Sequence, residues 1–156
     1  MQVVEFLLGN EHYAVDLFEV KEVVEYTTIT KLPNSASYMK GIIDLRGEIT
    51  TIVDLKDRLH IASSADTKDE NSRIIVLDEK ITRAKTGIMV DDVTSVSTFD
   101  MSDIDKTSTS DNHGDTAILG IIKKKVKDKD QEKNELIIWI DIKYLLKDIG
   151  EGMSLT

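Results

Sequence analysis

"MKGIIDLRGEITTIVDL", residues 39–55, decides how this chain is read. Ile42, Ile43, Leu45, Ile49, Ile52, Val53 and Leu55 form two short apolar runs that read as strands meeting at a turn. At the joint stands Arg46, directly before Gly47 and flanked by Asp44 and Glu48. Two explanations fit an arginine there. It pairs internally with Asp44, Glu48 or Asp54, and Gly47 relieves a bend. Alternatively, Gly41 and Gly47 bracket a strand that lies against another chain, and Arg46 offers its planar fork to a partner.

Outward from this stretch most of the chain reads as strand. "VVEFLLG" and "HYAVD" flank a polar turn and predict a hairpin over 3–16. "EVVEYTTITKL" (22–32) is rich in β-branched residues and stops at Pro33-Asn34. Further strands are expected at 73–79, 86–93, 116–126 and 135–142. So many short strands predict small barrels rather than a parallel sheet with crossover helices. A helix is expected over 141–150, with Ile142, Leu145, Leu146 and Ile149 on one face, Asp141 as cap and Gly150 as stop. Residues 17–24 and 55–60 suit a turn or two of helix. Polar loops are expected at 60–72 and 100–115, and a solvated hairpin tip at 123–135.

The chain has 156 residues, 40% of them apolar, and a net charge of −9. That length suits one domain, or two small units sharing a core. The acidic balance argues against nucleic acid and anionic membrane, because the whole-molecule field repels polyanions. Without cysteine there is no disulfide, thiolate nucleophile or zinc–thiolate site. The N-terminus lacks a basic region and reaches Glu5 after two valines, so no secretory signal is expected. Apolar runs such as "LIIWI" (136–140) are far shorter than the roughly 20 residues of a spanning helix. A soluble, cytoplasmic protein is expected.

Catalytic patterns are missing. His12, His60 and His113 sit in polar, turn-like surroundings, with no G-x-S-x-G elbow and no phosphate-binding glycine loop. Asp103, Asp105 and Thr107 imitate the start of a calcium loop, but Ser108 replaces its turn glycine and Gly114 its bidentate glutamate. No metal, cofactor or enzymatic activity is expected. Asp91-Asp92 reads as turn chemistry and Trp139 as core filling. The lysine-rich tract 123–133 reads as a solvated hairpin protected from edge-to-edge pairing, with no aromatic residue for stacking on bases.

Five blocks together resemble the CheW family of chemotaxis adaptors: residues 3–24, 29–55, 73–78, 86–96 and 136–146, with "LPN…MKGIIDLRG…IVDL" and "GIMVDDV" the most specific. The resemblance implies a mainly β fold of two five-stranded, SH3-like barrels sharing a core, with a C-terminal helix, over residues 1–150, followed by a short tail at 151–156. It implies a non-catalytic scaffold whose partners are a histidine kinase, through its own CheW-like domain, and methyl-accepting chemoreceptors. Neither nucleic acid nor membrane insertion is implied. Carried over by position, the receptor would meet Leu17, Val20, Glu22, Lys40, Gly41 and Arg46, with Val93 and Val96 as an apolar floor for a helical hairpin. Tyr26, Gly47 and Arg73 are the corresponding candidates for kinase contact. Thr51 where proline is common, and Asp44 where asparagine is frequent, depart from the family pattern. With its short tail the chain has no room for a phosphorylatable receiver domain of roughly 100 residues. Alternatives are a CheW-like module of another kinase pathway, such as surface motility, and a small-ligand-binding barrel or enzyme using the groove between barrels.

Overall fold

The computed structural model of the protein describes residues 1–61, 69–106 and 117–147. β1 (Gln2–Leu8) and β2 (Glu11–Asp16) form the first hairpin, with Leu8 opposite Glu11. Gly9 takes a positive φ of 61° in the turn between them, a conformation cheap only for glycine. A 3-10 turn at Leu17–Glu19 leads into β3 (Val20–Glu25). Then follow β4 (Met39–Leu45), β5 (Glu48–Asp54) and a helical turn at Leu55–Arg58. β6 (Arg73–Leu77), a helical turn at Glu79–Thr82, β7 (Thr86–Val90) and β8 (Asp92–Thr98) continue the chain. β9 (Ile104–Asp105), β10 (Ile118–Asp128), β11 (Gln131–Ile140) and a helical turn at Ile142–Leu145 complete it.

The strands build two sheets, one ordered β8-β1-β2-β11-β10-β9 and the other β3-β6-β7-β5-β4. The fold is therefore mainly β, as expected, though the first sheet has a sixth strand in the two-residue β9. Each sheet has its own small apolar cluster. Val3, Ala14, Phe99, Ile122 and Ile137 fill the first, and Ile43, Ile52, Ile74, Val76 and Met89 the second. A larger cluster joins them: Phe6, Leu8 and Val15 of the first sheet meet Val53, Ile75 and Ile88 of the second, along with Ile142 and Leu146. Alternation explains this sharing. Val4, Phe6 and Leu8 point one way into the common cluster and Val3 points the other way.

Three sequence expectations change. The strand expected over 22–32 begins at Val20 and stops at Glu25, because its partner β6 has only five residues; beyond it, Thr30 alone bridges to Ile42. β8, half serine and threonine, is a full seven-residue strand beyond the run expected to end at 93. The C-terminal helix covers Ile142–Leu145 among the described residues; Asp141 caps it as expected, accepting from the Tyr144 N–H at 3.1 Å, and Gly150 lies outside them. The expected loops and the failed calcium loop fall partly outside the described residues, as does His113.

Candidate docking surface

Leu45 and Glu48 close the β4–β5 ladder, so Arg46 and Gly47 are the two central residues of a hairpin turn. Both have positive φ, 50° and 85°, which makes this a type I′ turn matched to the twist of its strands. Such turns favour Asn-Gly; an arginine in the first place is strained. Arg46 therefore does not point into a core. Two-thirds of its side chain is exposed, and its Nη2 donates to the Glu22 carboxylate on β3. The three acids nearest in sequence are engaged elsewhere. Asp44 accepts the Gly47 N–H at 2.8 Å, Glu48 pairs with Lys85, and Asp54 caps the helical turn at Leu55–Arg58. The Lys85 hydrogen bond holds the Glu48 carboxyl below its usual range. β3 and β4 are the two edges of the second sheet, so the Arg46–Glu22 bond ties edge to edge.

Leu17, Val20 and Val93 are half-buried against the common cluster. Val93 lies opposite Phe6 and Val96 opposite Val4. A spacing of three would normally put two strand residues on opposite faces, but a bulge skips Thr94 and restores a shared face. Val96, 58% exposed, thus extends the side of the sheet that Val93 anchors. Lys40 is half-buried at a bulge in β4. Gly41 is buried: with φ at 146°, an added Cβ would stand 2.2 Å from the Thr30 carbonyl oxygen. It sets the path of β4 and has no side chain to present.

The residues nominated for the kinase do not form one patch. Tyr26 packs against the inner cluster of the second sheet, just beyond the pair Glu25–Arg73. Arg73 donates to the Ser72 carbonyl oxygen at 3.2 Å. Gly47 lies at the other end of that sheet, where its neighbour Arg46 meets Glu22 opposite Val76. The antiparallel β3–β6 pairing separates the two groups.

Sequence reasoning passed over Phe18, 86% exposed at the crest of the 3-10 turn beside Leu17. The Asp16 cap, accepting from the Phe18 N–H at 3.0 Å, fixes that turn and turns the ring outward. Ile49, 60% exposed, stands one residue past the hairpin tip side of β5. Glu19 in the same 3-10 turn is half-buried; burial, then Asp16 and Asp141, push its carboxyl up to about 7, partly offset by Lys143. Behind the surface, Asp91 accepts from the Gly9 N–H at 2.6 Å and from Lys56 Nζ at 2.8 Å. That nearly buried ion pair ties the first hairpin to the end of β5, a larger role than turn chemistry.

Among the described residues no group of three His, Cys, Asp or Glu side chains is placed to hold a metal ion, and no helix is long and apolar enough to cross a membrane. The second sheet presents an exposed guanidinium held by Glu22, and the first sheet and the 3-10 turn present the apolar side chains of Val96 and Phe18. Similarity to known proteins places the fold in a family. The CheW-like domain matches residues 2–150, and the chain belongs to that family. The chemotaxis protein CheW of Klebsiella aerogenes is 38% identical over 91 residues, 58% of this chain and 52% of that protein. The chemotaxis protein CheW of Thermotoga maritima is 28% identical over 148 residues, 95% of this chain and 89% of that protein. The scaffolding protein TtCheW from Thermoanaerobacter tengcongensis superposes with a TM-score of 0.76 at 34% identity, covering 99% of this chain and 98% of that one. The first of these alignments spans about half the length of the relative it matches.

Proposed function

We propose that this chain is a cytoplasmic coupling scaffold that joins a histidine kinase to methyl-accepting chemoreceptors and works by binding alone. The observation that carries the reading is Arg46: a strained, exposed arginine held by Glu22 on β3, the strand that Val20 opens. Backbone strain of this kind persists where the surroundings and a function fix it. A receptor's helical hairpin would lay its apolar stripe along Leu17, Val20, Val93 and Val96, and Arg46 would set its orientation through charge-assisted bonds. Arg73 and Tyr26, at the far end of the second sheet, would meet the kinase's CheW-like domain. Opposite ends let both partners be held at once. Modest single contacts suffice where many copies sit in an array.

The test is a pull-down of the Arg46→Glu variant against a receptor signalling tip, with circular dichroism as control for folding. Loss of binding with an unchanged spectrum is expected. Retained binding would remove Arg46 from the interface.

A further inference from the structure

β10 and β11 pair with each other along their whole length, from Ile118 opposite Ile140 to Asp128 opposite Gln131. Their outer neighbours reach only part of the way. β9 covers Ile121 and Ile122, and β2 covers Ile137 to Trp139. Among the described residues, 123–128 and 131–136 therefore form a two-stranded ribbon paired only to itself. Lys129 and Asp130, both at positive φ, turn its tip. A bare ribbon of this kind is marginally stable in water.

Directly opposite residues share a face, which sorts the ribbon's charges. On one face Lys124 lies opposite Glu135, and Val126 opposite Lys133. These ions are committed within the molecule: Lys124 to Glu5 at 3.1 Å, Glu135 to His12 at 3.1 Å, and Lys133 to a further contact. On the other face Lys123, Lys125 and Lys127 stand in a row opposite Leu136, Asn134 and Glu132. All three lysines are exposed and unpaired among the described residues, and Leu136 at the base of the row is 55% exposed. Of the three residues directly opposite the row, Glu132 alone is acidic. Six lysines against four acids give residues 123–135 a net +2 on a chain of −9.

We propose that the Lys123–Lys125–Lys127 face docks an acidic segment of a partner protein, an extended stretch with carboxylates at alternate positions and an apolar side chain over Leu136. The match is one of spacing and sign. Alternate residues of a strand stand about 6.7 Å apart, on the ribbon and on an extended peptide alike. A longer polyanion is disfavoured. Asp103 lines the same cleft as Lys123, the rest of the chain is acidic, and the ribbon has no aromatic residue for stacking on bases.

The full chain is titrated into a fluorescein-labelled peptide of five Glu–Thr repeats, followed by fluorescence anisotropy at low salt and at about 300 mM salt, where exposed charges are screened. The expected result is salt-sensitive binding, weakened at least tenfold in Lys123→Glu/Lys125→Glu/Lys127→Glu. A control with the same net charge, Lys31→Glu/Lys80→Glu/Lys143→Glu, should lose less than twofold. If the first variant fails to fold, Lys123→Thr/Lys125→Thr/Lys127→Thr keeps strand propensity and carries the same expectation. Equal losses in ribbon and control variants, no binding of the peptide at low salt, or tighter ribbon-dependent binding of an oligo-dT strand would each overturn the proposal.

Discussion

Arg46 shows how little of a side chain's role is set by its sequence neighbours. Its partner Glu22 lies 24 residues away, and the three nearby acids are held by Gly47, Lys85 and the helical turn after Asp54. If the pair serves only to close the sheet, exchanging its ends should preserve function. If a partner reads the cation at position 46, it should not. We expect Glu22→Arg/Arg46→Glu to melt near the parent temperature, where Arg46→Glu alone melts lower because two carboxylates then face each other. The exchanged variant should still fail to bind a receptor signalling tip. Restored binding would reduce Arg46 to a structural clasp. The sequence showed where the arginine stood and that a turn was there. Its bond to Glu22 depended on β3 and β4 being brought together by three intervening strands, which local pattern does not encode.

Strands and turns were more legible because their signals are local. An aspartate precedes four of the turns: Asp16, Asp54, Asp78 and Asp141 each accept a backbone N–H of the helical residues that follow. β8 was missed in part because two serines, Ser95 and Ser97, sit at its inward positions. Their reason is Glu5, whose carboxylate is 1% exposed inside the first sheet and receives Ser95, Ser97 and Lys124. Burial by itself would push the Glu5 carboxyl up; the bonds from Ser97, Lys124 and Ser95 outweigh it and hold the group below its usual value. The stabilisation is therefore complete above about pH 4.5 and is lost as pH falls through the depressed folded value. Lys124→Met leaves the buried carboxylate to two hydroxyls and should cost about 2 kcal/mol near neutrality. Thermal melts between pH 3 and 7 should show the gap to the parent closing at the acid end. A gap of constant size would mean that Lys124 acts through packing.

At the scale of the whole molecule, the strand pattern pointed to small barrels and the family resemblance to two of them, but no local pattern encodes how they interlock. The parallel pairings β2–β11 and β5–β7 join strands far apart in the chain, and neither has a local signature. One consequence is a crowded acidic joint. The chain leaves β2 at Asp16, turns through Glu19 and enters the other sheet, beside the start of the C-terminal helical turn at Asp141. Asp16, Asp141 and Lys143 are the charges that act on Glu19, and the Glu19 carbonyl also accepts the Asp78 N–H at 2.9 Å. A carboxyl raised from 4.5 to about 7 binds its proton more tightly folded than unfolded. The folded state is thus progressively penalised as pH rises from about 4.5 through about 7, and the full penalty stands above that. Glu19→Gln removes the ionisation and keeps the shape. The variant should melt above the parent at pH 8, by a margin that narrows on acidification and vanishes near pH 4.5. A margin independent of pH would show that the joint does not sense the proton at Glu19. Because this turn also carries Leu17 and Phe18, the same titration in the presence of a receptor signalling tip should weaken parental binding above pH 7 and leave the variant's binding level.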